Sequence, residues 1–108
     1  MRKAFAFAVA VAAISLSPAT ASAKPAAHTA TMVIDKLAFG AVPSNLRVGD
    51  TIGWANRDLF RHSATAVGHF DVDLPPRSQR RMVLRRAGVF PFTCKFHPGM
   101  KGVLKVGR

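Results

Sequence analysis

Cysteine is nearly absent from this chain: its 108 residues hold one, Cys94. A lone cysteine cannot close an intrachain disulfide, so the stapled frameworks common among small exported domains are excluded. Glutamate is missing altogether, and five aspartates are the only acidic side chains. Long hydrophobic runs are missing too. The longest, Ala4 to Leu16, falls short of the roughly 20 apolar residues that span a bilayer, so no transmembrane segment is expected. Beyond it no long stretch has a helical period, and there are no internal repeats.

The leading residues read as a secretory signal peptide. Arg2 and Lys3 form a positive start, the apolar run follows, and Ala21-Ser22-Ala23 is a small-residue cleavage signal. The expected organisation is a leader over 1–23, a flexible mature N-terminus over 24–30 and one domain over 31–108. No cysteine follows the leader, so export to the periplasm without a lipid anchor is expected. Removing 23 of 108 residues leaves 85, a small domain that buries only about 60–65% of its unfolded surface. Its 14 Lys and Arg against five Asp give a formal charge of +9. Such a charge shapes solubility and association more than fold. Export argues against nucleic acid, leaving an acidic protein partner, an anionic surface or plain solubility.

From Ala30 onward, short apolar stretches are broken by turn residues every 8–12 positions, the pattern of an all-β sandwich or barrel. Strands are expected over Thr31 to Phe39, Leu46 to Val48, Thr51 to Asn56 and His62 to Val67. Further strands are expected over Gln79 to Arg86, Val89 to Cys94 and Val103 to Val106. Gly68 to Ser78 reads as loop, because Pro75-Pro76 excludes a central strand there. Phe90, Phe92 and Cys94 share one face, which turns the cysteine sulfur toward an apolar interior.

The chemistry lies in Cys94-Lys95-Phe96-His97-Pro98-Gly99-Met100. A thiol, an imidazole and a thioether on one short loop are soft, mixed donors, and a Cys, two His and a weak axial Met describe a blue-copper site. Zinc matches a thioether poorly. A second imidazole must come from upstream, and His62 is best placed; His28 and His69 are its rivals. Read singly, each residue has a plainer role: a buried cysteine, a surface histidine, a core methionine.

The runs Leu46 to Asp58, His62, and Gly88 to Gly102 resemble small bacterial cupredoxins. The two residues between His97 and Met100 match the short gap of the amicyanin-like members. The resemblance implies a Greek-key β-sandwich with one type 1 copper ion at one end, held by His62, Cys94, His97 and Met100. It implies a Ser63 N–H donated to the sulfur. Amicyanin-like members link Asn after the first His to Thr after the Cys; here those positions hold Ser63 and Lys95. The implied function is electron transport, with no enzymatic activity, by a monomer that meets an acidic redox partner near His97. Phe96, Pro98, Leu59 and Phe60 would form the docking collar. A copper carrier or buffer without electron transfer uses the same donors and remains open.

Overall fold

The described residues, 2–18 and 26–108 of this computed structural model, hold nine strands and no helix. The expected cleavage site, Ala21-Ser22-Ala23, lies outside them, and residues 2–18 are exposed without regular structure. Among the described residues no helix is long and apolar enough to cross a membrane.

The strands are β1 (Thr29–Asp35), β2 (Ala38–Phe39), β3 (Leu46–Arg47), β4 (Thr51–Asn56), β5 (His62–Ala66), β6 (Phe70–Leu74), β7 (Gln79–Val83), β8 (Gly88–Thr93) and β9 (Lys101–Gly107). They form two sheets, ordered β2-β1-β4-β7 and β3-β9-β8-β5-β6. The β1–β4 and β3–β9 pairs are parallel and the others antiparallel. The expected all-β sandwich is what forms.

Period-two alternation explains the core. Met32 and Ile34, Ile52 and Trp54, Phe90 and Phe92, and Leu104 and Val106 are buried between the sheets. Trp54 has no exposed surface and meets Phe92 edge-on at 5.4 Å and Phe39 at 6.3 Å between ring centroids. Offset and edge-on packing suits aromatic quadrupoles, and each ring buries roughly 150–250 Å². The inward alternation of β8 carries on to Cys94, which is 1% exposed.

The strand expected over Gln79 to Arg86 ends at Val83, β1 begins at Thr29, before the expected Thr31, and two segments differ in kind. The stretch Thr31 to Phe39 is a hairpin, not one strand: it breaks at Lys36 and Leu37, with φ of 52° and 59°. Two positive φ values make a type I′ turn, usually built from Asn or Gly, so these residues carry no turn signal. Gly68 to Ser78 is not all loop, because Phe70–Leu74 is strand β6, paired with β5. Its Phe-Asp-Val-Asp-Leu alternation was hidden by the prolines that follow, and each Asp is matched by a basic partner. Asp71 bonds Lys95 and Asp73 bonds Arg61.

Candidate metal centre

His62 opens β5 and Cys94 follows the last residue of β8, so neighbouring strands of one sheet deliver an imidazole and a sulfur to the same end. His97 comes from the tight loop between β8 and β9. That loop is closed by Met100 N–H to the His97 carbonyl at 2.8 Å and Cys94 N–H to the Met100 carbonyl at 3.0 Å. Met100 is 5% exposed and shares the buried cluster with Cys94.

The donor atoms converge. Nδ1 of His62 and Nδ1 of His97 are 3.2 Å apart, and Cys94 Sγ is 3.8 Å from each. The three form a cluster able to hold a metal ion. An ion about 2.05 Å from nitrogen and about 2.3 Å from sulfur, with donors about 120° apart, sets N and S about 3.8 Å apart. The spacing therefore fits a first-row metal. A thiolate with two imidazoles suits one copper ion.

Protonation points the same way. His62 Nε2 is 2.7 Å from Asp58 Oδ2. Burial pushes the Asp58 carboxyl up, but the Leu37 N–H, His62 and the Lys36 N–H outweigh it and hold it below its ordinary value. A carboxylate only accepts, so the His62 proton sits on Nε2 and Nδ1 presents a lone pair toward His97 and Cys94. One hydrogen can bridge two nitrogens, whereas a cation satisfies all three donors.

The chain matches no protein-family profile and no curated protein. Solved structures do match. Amicyanin from Paracoccus versutus (Thiobacillus versutus) aligns at 20% identity and TM-score 0.61, over 79% of this chain and 85% of that one. A reduced Cu(I) form of an amicyanin variant aligns at 24% identity and TM-score 0.60, over 78% and 84%. This chain has the cupredoxin fold. At such identity the likeness speaks for architecture, and the site rests on its own geometry.

Within the cupredoxin fold, His62, Cys94 and His97 come together as expected. The rivals stand apart: His69 is exposed against the Phe90 ring at 4.9 Å, and the His28 backbone N–H bonds Asp50. The expected Ser63 N–H reaches Cys94 Sγ at 3.3 Å. Ser63 also supplies a link of its own, its Oγ accepting the Lys95 N–H at 2.9 Å.

Sequence reasoning missed Asp58 and Asn56. Asp58 Oδ1 accepts the Lys36 N–H at 2.8 Å and Oδ2 the Leu37 N–H at 2.9 Å, tying the strained hairpin turn to His62. Asn56, 3% exposed, donates to the carbonyls of Phe60, Leu74 and Pro75, and its Oδ1 accepts the Asp58 N–H. The available signal was Asn and Asp two residues apart at the end of a strand, which favours side-chain to backbone bonding.

Of the expected collar, Phe60 is the member seen against the His97 ring. Leu59, Phe60 and Phe96 are exposed by 71, 57 and 45%. Phe60 meets the His97 ring at 6.4 Å, and the Arg61 guanidinium lies 5.1 Å over Phe96.

Proposed function

We propose that the protein is a periplasmic type 1 copper protein that carries single electrons between redox partners, with His62, Cys94, His97 and Met100 as the copper ligands. The observation that carries this reading is the convergence of one sulfur and two imidazole nitrogens at metal-bonding spacing. When bound, copper supplies the one-electron couple. The chain holds the imidazole of His62 with Asp58 and aims an N–H at the sulfur, which lies in one buried cluster with Phe92, Leu74 and Met100. No side chain is assigned a catalytic role.

Two features favour electron transfer over copper handover. His62 has no exposed surface and its Nε2 is held by Asp58, so ligand exchange on that side is blocked. His97, partly exposed within an apolar collar, offers an edge through which an electron can leave. Small redox encounters use limited interfaces of this kind. The excess of Lys and Arg suits an acidic partner, and the leader supports export.

Copper-loaded protein should cycle reversibly between Cu(II) and Cu(I) at an electrode while keeping its metal. Release of copper to a chelator on each reduction, without a reversible wave, would favour the carrier reading instead.

A further inference from the structure

The Ser63 N–H facing the Cys94 sulfur is backed by a closed hydrogen-bond circuit that reaches the surface. Strands β5 and β8 are registered at one pair only, Thr65 with Thr93. Past that pair side chains take over, with the Lys95 N–H donating to Ser63 Oγ at 2.9 Å. Ser63 Oγ lies 2.9 Å from Thr65 Oγ1, and the Thr65 hydroxyl donates to Asp71 Oδ1 at 2.9 Å. Asp71 Oδ2 accepts from Lys95 Nζ at 2.9 Å, which returns the circuit to its start.

Proton counting fixes the direction. Thr65 spends its one hydroxyl proton on the carboxylate, so the proton between Ser63 and Thr65 belongs to Ser63. The Ser63 oxygen is then free to accept the Lys95 N–H. Bonds aligned this way polarise one another, by about 10–30% each. The Lys95–Asp71 pair is about half exposed, and such a pair adds little stability by itself. Its effect is orientation.

We propose that Thr65 and Asp71 are positioning residues for the Cys94 sulfur. Asp71 orders the two hydroxyls, Ser63 grips the residue after the cysteine, and that grip holds the sulfur under the Ser63 N–H. In this chain the circuit stands where amicyanin-like members link Asn to Thr. The effect on copper rests on the functional reading above; the circuit does not.

Thr65→Val removes the hydroxyl while keeping charge and β-branched shape. In the metal-free protein, hydrogen exchange at the Lys95 amide should quicken about five- to tenfold, the loss of one net hydrogen bond. Thr65→Ser should restore it, and Asp71→Asn should behave like Thr65→Val. Asp73→Asn is the control: the same charge change on the same strand, but at a carboxylate paired with Arg61. It should leave Lys95 exchange unchanged. In the copper-loaded protein, Thr65→Val should lower the reduction potential, because a loosened N–H leaves more electron density on sulfur and favours Cu(II). Wild-type exchange in Thr65→Val, or an equal rise in Asp73→Asn, overturns the circuit. Faster exchange with an unchanged potential overturns its reach to the sulfur. The exchange arm needs no copper, so failure of the copper reading and failure of the circuit are told apart.

Discussion

Replacing Asp58 should damage folding and metal binding together, and two substitutions separate the effects. Asp58→Ala strips the acceptor from three donors: the Lys36 N–H, the Leu37 N–H and His62 Nε2–H. An unsatisfied buried donor costs about 1–3 kcal/mol. His62 is fully buried, while Lys36 and Leu37 are exposed residues whose amides water can partly reach. Counting about 2 for the first and about 1 for each of the others gives about 4 kcal/mol. A domain of this size is stable by only about 5–10 kcal/mol, so the melting temperature of the metal-free protein should drop by about 16 °C, at roughly 4 °C per kcal/mol. Asp58→Asn tests the proton. Its amide can keep one backbone bond, but an NH2 group facing His62 Nε2 drives the histidine proton to Nδ1, where it competes with the metal. Metal affinity should then fall about 10–100-fold, the usual effect of losing a ligand's hydrogen-bond partner. Differential scanning calorimetry of the metal-free forms and competition titration with a chromophoric chelator are the assays. An Asp58→Asn protein with wild-type affinity, or an Asp58→Ala protein melting within 3 °C of wild type, would refute the reasoning.

Gly102→Ala should destabilise by about 1–3 kcal/mol through overpacking, since its Cβ would stand 2.4 Å from the Phe92 ring; thermal melts measure it. Met100→Leu should retain copper but shift the reduction potential, because the axial ligand tunes the couple more than it anchors the ion; an unshifted voltammogram would make Met100 a packing residue. Acid should unfold the protein through its aspartates. N–H donors from His28 and Arg47 hold Asp50 below its ordinary value, and Lys95 and Thr65 do so for Asp71. With folded values depressed, this stabilisation is complete above pH about 4, the unfolded carboxylate range, and fades as pH falls through the folded values. Asp50→Asn should flatten the acid limb of a pH titration of stability.

Strand β4, the β8 alternation ending in Cys94, and the Cys-His-Met loop were legible because each is a local pattern: period two, turn punctuation, donor spacing. His62 was legible as the partner only once a second imidazole was required. The hairpin at Lys36 and Leu37 was not, because its support comes from Asp58, 21 and 22 positions away. Strand β6 was obscured by Pro75-Pro76 just after it, and the basic partners of its aspartates, Arg61 and Lys95, come from other parts of the chain. The roles of Asn56 and Asp58 stayed hidden for the same reason. A carboxylate four residues before a histidine looks like a solvated charge until folding buries both.

The central claim is that one thiolate and two imidazoles hold copper in a single site. Titrating Cu(II) into the purified protein, beside Cys94→Ser, tests it most directly. Wild type should saturate at one equivalent with an intense thiolate-to-copper band in the visible, and Cys94→Ser should show none, because oxygen cannot replace the soft sulfur donor. A colourless wild-type complex, or an equal band in Cys94→Ser, would contradict the account.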